Sequence, residues 1–467
     1  MTQSVVIQVG QCGNQVGRCF WDLALCEHAQ WNKKGIYDEP LSSFFRNVDM
    51  RGHDLSVGNR ISNLRARAVL IDMEEGVVSE LLHSSLGEIF DHRQLITDVS
   101  GSGNNWAVGN MYYGGQYKEQ LLDVIRLSAE HCDCLQSFFI LHSMGGGTGS
   151  GVGSRVLDII QNEYPDVYRF VVPVFPSSDD DVITSPYNCV LALSELTSKA
   201  DCVLPIENQA LLDICRTIRK AGTCASKGPS GMKPGTGITD KGREGSDKPF
   251  DDMNNIIANL LLNLTSASRF EGSLNVDLNE ITMNLVPFPR LHYLLPAMTP
   301  LYNIKGVSIP PRRLDQAFSD AFSRDYQLLK TDPKNGTFLA CALMLRGKAN
   351  ISDVRKNIER LRPSLKFVHW NREGWKTGLC SVPPLNQPYS LLSLANNTCF
   401  ASSLNEIETR FHKLYKRKAH LHHYTKVDGM DISAFESSIE SLQSLIHEYR
   451  SLEQGNVDAG IQRLKIC

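Results

Sequence analysis

No stretch of this 467-residue chain approaches the roughly 18 consecutive apolar residues that a membrane-spanning helix needs. Nor is there an excess of basic residues. Its 48 Lys and Arg stand against 51 Asp and Glu, a formal charge of −3, so no global field draws nucleic acid or an anionic membrane. Paired Cys-x-x-Cys knuckles are missing, and the 13 cysteines are odd in number and scattered. That usage points to reduced thiols in the cytoplasm rather than a disulfide framework. Met1-Thr2-Gln3-Ser4 lacks a positively charged n-region and is read as leading into a strand, not as a secretion signal. His131-Cys132-Asp133-Cys134 and His420-Leu421-His422-His423 each lack a second ligand pair at zinc-site spacing, so neither is read as a structural metal site. A hydrophobic content of 42% at this length suits two or three ordinary globular domains.

What the chain has instead is glycine gathered at particular junctions. Gly145-Gly146-Gly147-Thr148-Gly149-Ser150-Gly151 follows Phe138-Phe139-Ile140-Leu141, which reads as a buried strand, and precedes Ser154 to Ile160, which has helical spacing. At such a junction the backbone comes close to an anion, and the free N–H groups of the helix start point at it. Thr148 and Ser150 add hydroxyls. The pattern departs from both common phosphate loops. No Lys follows the glycines, as a P-loop requires, and Val152 and Ser154 stand where a dinucleotide fingerprint needs its third glycine. Taken alone, such a turn is more often plain loop punctuation than a phosphate site.

Its companions change that weighting. Val5 to Val9, Ala68 to Ile71, Phe138 to Leu141 and Phe170 to Val174 are short apolar runs alternating with helical patterns, which predicts βαβ units and a mostly parallel sheet. Ligands bind such sheets at the carboxyl ends of the strands. There the sequence places Gly10-Gln11-Cys12-Gly13-Asn14-Gln15, Asp72-Met73-Glu74-Glu75-Gly76, Ser100 to Asn105, the Gly145 turn, and Ser177 to Asp181. Any one of these passes as a polar surface turn; the set of five does not. Without a P-loop Lys, phosphates there would rely on backbone N–H groups, helix dipoles and a cation, for which Glu74 is the best carboxylate with Asp72 behind it.

Beyond residue 200 the reading is coarser. Thr223 to Pro249 is rich in Gly, Lys, Ser and Pro without periodicity and reads as a solvated insert. Ile256, Ile257, Leu260, Leu261 and Leu264 mark one apolar face of a buried connecting helix. Phe338 to Leu345 and Leu365 to Val368 read as strands of a smaller α/β region. Two amphipathic helices close the chain, one carrying Ile407, Phe411, Leu414 and Tyr415, the other Phe435 to Tyr449, with a break at Asp428-Gly429-Met430. Asp277-x-x-Glu280, read alone, is a capping box.

In order, GQCGNQVG, the Asp72-x-Glu74 turn, GNNWA, GGGTGSG, Pro186-Tyr187-Asn188 and NVDLNEITMNLVPFPRLHY resemble the signature segments of the tubulin family, from Val5 to about Tyr449. The 223–249 insert, FFRNVD and KAHLHHY look most like the epsilon branch. The resemblance implies an α/β fold: a GTP-binding domain over residues 1–211, an intermediate domain over 212–394 with a core helix at 250–270, and C-terminal helices over 395–467. It implies GTP or GDP with Mg²⁺. Gln11, Cys12, Asn104, Ser143, Gly145, Gly146, Gly147, Thr148 and Gly149 match positions lining the phosphates, and Glu74 with Asp72 the Mg²⁺ side. Asp181 matches a ribose-side position, Asn208 and Asn254 the guanine-reading amides, and Phe250 the aromatic stacked on the base. Glu280 matches the carboxylate that alpha-type subunits offer to a neighbour's nucleotide, which implies a composite GTPase split between two molecules. The implied partners are delta-tubulin, other tubulin-family subunits and centriolar proteins, in the cytoplasm at centrosomes, centrioles and basal bodies, with no nucleic acid and no membrane.

The pattern also departs from the family in places. Ser185 replaces a Glu before Pro-Tyr-Asn, Glu75 stands in place of Pro, and the lateral loop near Tyr302 to Pro311 looks short. Ser451 to Cys467 has no Glu-rich run, and Lys413, Lys416, Arg417 and Lys418 form a basic one. Two readings follow: a structural GTP-binding subunit of a specialised microtubule assembly, or a nucleotide-controlled adaptor or GTPase that stays outside any polymer.

Overall fold

The computed structural model describes residues 2–177, 180–225, 250–301 and 313–453, with the backbone alone over 220–225. Most of the 223–249 insert, the expected lateral loop and the last residues therefore lie outside the described residues. The helix Asn208–Ala225 does run past the insert's expected start.

β1 (Gln3–Val9) is buried along its whole length, as a central parallel strand with helices on both faces must be. β2 (Phe45–Val48) and β3 (Asn63–Ala66) form an antiparallel ribbon beside it. β4 (Ala68–Asp72), β5 (Leu95–Thr97), β6 (Leu135–Ser143), β7 (Tyr168–Phe175), β8 (Cys202–Val203) and β9 (Ile206–Glu207) complete a seven-stranded sheet. Its order is β5-β4-β1-β6-β7-β8, with β9 also on β7, and every pairing is parallel. The four expected strands all lie within it.

Strand alternation divides the core. Val5, Ile7 and Val9 face a cluster shared with the helix Gly153–Glu163 and the C-terminal helices Phe400–Tyr415 and Ile432–Glu453. Val6 faces the cluster that holds the helix Gly10–Trp31 and the core helix Asp251–Leu264. The five apolar residues expected on the core helix are all buried, each contributing about 1.5–3 kcal/mol of transfer free energy as an upper bound. The helix ends at Thr265, and a short turn of helix, Ser266–Arg269, follows it.

A second sheet lies on the other side of that helix: β10 (Leu294–Thr299), β11 (Phe338–Gly347), β12 (Trp375–Cys380) and β13 (Tyr389–Asn397), in the order β10-β13-β11-β12. β13 runs antiparallel to both neighbours, while β11 and β12 are parallel. Leu365 to Val368, expected as a strand, makes only the single bridge Phe338↔Phe367. The rest of that edge of β11 is taken by β12, in register Cys341↔Trp375 to Arg346↔Cys380. The break between the C-terminal helices is also wider than Asp428–Met430, running from residue 416 to 431 around the short helix Leu421–Thr425.

Candidate functional site

In the order β4-β1-β6 the chain leaves β1 in one direction to β4 and later returns on its other side with β6. That reversal opens a crevice outside the carboxyl ends of β1 and β6, where open α/β sheets bind ligands. The two glycine turns flank it. Gly10 has φ +72°, a left-handed backbone, and a Cβ there would stand 3.2 Å from the Gly149 nitrogen. At Gly149 a Cβ would come within 2.6 Å of Ser143 Oγ and 2.8 Å of the Ser143 carbonyl oxygen. Side chains at either position would therefore fill the crevice or force the turns apart.

The crevice is a cavity of about 330 Å³. All five strand-end loops contribute to its lining. Gln11, Cys12, Asp72, Glu74, Asn104, Ser143, Gly145, Gly146, Gly147, Thr148 and Gly149 line one part, and Asn208, Phe250 and Asn254 another. Asp181 does not line it; its neighbour Asp180 does, along with Gln15, Ser102, Val182 and Ile257, none of which the sequence assigned to the ligand. Asn254 is buried on the core helix, whereas Phe250, just before that helix, is 48% exposed.

Backbone donors dominate where the two glycine turns meet. The helix Gly10–Trp31 begins directly at the end of β1 with no side-chain cap, so its first N–H groups have no intrahelical partner. Asn14 donates to the Gly10 carbonyl at 3.0 Å and the Ile71 carbonyl at 3.2 Å, tying this turn to β4. In the other turn Ser102 Oγ and Thr148 Oγ1 share a hydrogen bond of 2.9 Å, and Ser150 Oγ donates to the Gly146 carbonyl.

The most connected polar side chain in the site is Asn188, which is fully buried. Its amide donates to the carbonyls of Asn104 and Gly145, both at 2.8 Å. Its oxygen accepts from the Trp106 N–H at 2.9 Å and the Tyr424 hydroxyl at 2.6 Å. Asn104 itself is left-handed, with φ 54°. Four hydrogen bonds thus hold two of the strand-end loops to each other and to the helix Leu421–Thr425. The Pro186-Tyr187-Asn188 segment was visible as a signature, but its sequence neighbours gave no hint of this role.

The electrostatics are unusual for an anion site. Among the described residues no Lys or Arg lines the cavity, whereas Asp72, Glu74 and Asp180 do. Burial raises the Asp72 carboxyl from 3.8 to about 6; its Oδ1 accepts from the Glu74 N–H at 3.3 Å, and its buried Oδ2 has no hydrogen-bond partner. Burial also raises Asp180 above the usual carboxylate range. The Cys12 thiol is pushed up to about 12 by burial and stays neutral beside the phosphate turn.

Glu280 lies outside this cavity, on the helix Leu278–Leu285. Asp277 caps that helix through the Leu278 N–H at 2.8 Å and also accepts from Gln136. The reciprocal arm of the expected capping box is replaced, because the half-exposed Glu280 carboxylate pairs with Lys376 on β12. Among the described residues no group of three or more His, Cys, Asp or Glu is arranged to hold a metal ion.

Comparison with known proteins agrees with this geometry. Residues 3–216 match the model of the Tubulin/FtsZ family GTPase domain, and residues 289–409 that of the tubulin C-terminal domain. The chain is 62% identical to the tubulin epsilon chain of Homo sapiens over 462 residues, covering 97% of this chain and 96% of that one. The chain belongs to the tubulin family. It is equally similar, at 62%, to the tubulin epsilon chain of Mus musculus, again over 97% of this chain and 96% of its relative. Its identity to a nucleomorph tubulin beta chain of Guillardia theta is 33%, over 98% of each chain. It is a GTP-binding protein of the tubulin superfamily and a component of the microtubule cytoskeleton. Among the described residues no helix is long and apolar enough to cross a membrane.

The donor set fits a guanine nucleotide: uncapped N–H groups and hydroxyls at one end of the cavity, two amides and an aromatic ring at the other.

Proposed function

We propose that this chain is a structural GTP-binding subunit of centriolar and basal-body microtubule assemblies, acting there with delta-tubulin and centriolar proteins in triplet formation and centriole organisation. The observation that carries the reading is the single cavity at the β1/β6 reversal, in a chain 62% identical to a protein named tubulin epsilon chain.

In this reading Gln11, Cys12, Asn104, Ser143 and the turn Gly145 to Gly149 hold the phosphates of GTP or GDP. Asn208 and Asn254 read the guanine edge, and Phe250 stacks on it. The ribose lies on the Asp180–Asp181 side. Among the described residues three carboxylates and no Lys or Arg line the cavity, so none of them gives the phosphate charge a side-chain counterion. Glu74, with Asp72 behind it, would hold Mg²⁺, which would supply that charge when bound. The unpartnered Asp72 Oδ2 supports this assignment.

In this reading Glu280 polarises a water toward the nucleotide of an adjoining subunit, a role supported by its half-exposed position outside the chain's own cavity. That arrangement favours assembly over a stand-alone GTPase. The test is nucleotide analysis of the purified chain followed by size-exclusion with and without delta-tubulin. Guanine nucleotide near one equivalent and a co-eluting complex are expected. An empty, folded chain would overturn the nucleotide assignment, and a chain that holds nucleotide but never co-elutes would overturn the partnership. In the assembled complex, Glu280→Ala should slow GTP turnover without emptying this chain's own cavity.

A further inference from the structure

Acidic and basic residues nearly balance over the whole chain, but one surface segment departs from that balance. From Phe411 to Val427 there are five Lys and Arg residues and no Asp or Glu, in a chain whose formal charge is −3. Lys413, Lys416, Arg417, Lys418 and Lys426 are all exposed, as are His422 and His423. Among the described residues none of these five cations pairs with a carboxylate, although nearby Arg410 and His412 pair with Glu406 and Glu408.

The segment is held in a defined shape. Lys418 and His420 both adopt left-handed backbone, with φ 50° and 61°. The Tyr187 hydroxyl donates to the Ala419 carbonyl between them at 2.9 Å, and Asn105 donates to the His423 carbonyl at 3.0 Å. Leu421 and Tyr424 are buried beneath. Left-handed conformations at non-glycine residues are uncommon and persist where their surroundings fix them. The cations therefore project from a fixed frame, and less ordering entropy is lost when a partner binds.

We propose that the surface formed by residues 413–426 docks an acidic segment of another polypeptide. Charge complementarity sets the sign of the partner, and unpaired exposed cations are the groups that gain from it. The surroundings set its class. Nucleic acid would want large rings to stack on, but Tyr415 is half-buried with its hydroxyl on Glu436 at 3.2 Å and Tyr424 is buried, which leaves only the exposed imidazoles of His422 and His423, packed on each other with centroids 4.0 Å apart. A bilayer would want exposed apolar side chains, and the segment offers no large one. Exposed Asp428 and Asp431 border the patch, which limits it to a short acidic stretch and repels a long polyanion.

The test is fluorescence anisotropy with the full chain and three probes: a labelled poly-glutamate peptide, oligo-uridine RNA of matched charge, and phosphatidylserine vesicles. Saturable peptide binding that weakens with added salt is expected. Reversing Lys416, Arg417 and Lys418 together to Glu should weaken it at least roughly tenfold. The corresponding Gln triple should lose less, and Lys33→Glu with Lys34→Glu, exposed at a distant site, should lose nothing. Retained guanine nucleotide reports the fold of each variant, and the Gln triple carries the test if the Glu triple does not fold. Peptide binding indifferent to the patch substitutions would overturn the proposal. So would RNA or vesicles bound more tightly than peptide through the same three residues.

Discussion

The two sheets are built from similar material, yet only one of them gathers a site. β1 and β11 are both buried from end to end. In the seven-stranded sheet every pairing is parallel, so all carboxyl ends lie on one edge and five polar loops meet there. In the four-stranded sheet β13 runs against both neighbours while β10, β11 and β12 share one direction, so its carboxyl end lies at the edge opposite the other three. Shared strand direction brings loops to one edge, and the polar, glycine-bearing loops that follow β1, β4, β6 and β7 make that edge a site. The second sheet makes a different contribution. Arg346 on β11 and Arg269 after the core helix both pair with Glu27 on the helix Gly10–Trp31, at 3.0 and 2.8 Å, with all three fully buried. Burial works against the Glu27 carboxylate, but the two guanidinium groups hold it below the usual carboxylate range. One sheet therefore presents the ligand site, and the other is bound to it through a buried ion cluster.

Breaking that link should produce the largest effect. Glu27→Ala leaves two buried guanidinium groups uncompensated and is expected to cost about 3–5 kcal/mol in denaturant unfolding, a loss the conservative Gln variant reduces only in part. A neutral result would mean the sheets are joined by apolar packing alone.

Next comes the distinction between the sheets themselves. Gly149→Ala drives a Cβ onto Ser143 and should cost roughly 1–3 kcal/mol of nucleotide binding, about tenfold to a hundredfold in retention. Gly378→Ala on β12, whose Cβ would stand 3.1 Å from Val276 Cγ2, should lower the melting temperature and leave nucleotide content unchanged. If both variants lose nucleotide equally, the functional contrast between the sheets fails.

Asp72→Asn separates stability from binding. The folded pKa of Asp72 is raised, so the native chain holds a proton there that the unfolded chain releases, and the stability this provides at low pH is lost as pH rises through about 6. The nucleotide-free Asn variant should therefore be more stable than the parent by about 1–2 kcal/mol at neutral pH, with the difference closing as pH falls below about 6. The same variant should lose cation-dependent nucleotide retention. Melting curves across pH, with and without Mg²⁺, measure both effects.

Tyr424→Phe is the mildest of the four. It removes one of the four hydrogen bonds of Asn188 and should cost about 0.5–1.5 kcal/mol, read as faster nucleotide release with little change in melting.

Much of this was legible from local pattern. The four parallel strands, the core helix with its apolar face, and the five loops follow from period and from residues such as Gly10, Glu74 and Thr148, whose chemistry is visible one at a time. Leu365 to Val368 was misread because an apolar run does not show whether a strand edge is free, and β12 takes most of that edge. Asp180 and Asp181 are indistinguishable in composition, and only the backbone path into the helix Ser185–Lys199 decides which of them lines the cavity. Glu280 was seen as half of a capping box because Lys376, its partner on β12, is remote in sequence.

The sequence by itself determined which segments become strands and helices, and which polar residues follow each strand, because those depend on period and on neighbours a few positions away. The tertiary structure decided that the loops converge, that Asn188 ties them to Tyr424 at a separation of 236 residues, and that Glu27 binds two sheets together. Those contacts depend on strand direction and chain crossing, and the desolvation that gives Asp72 and Glu27 their energetic weight exists only once the surrounding elements have packed around them.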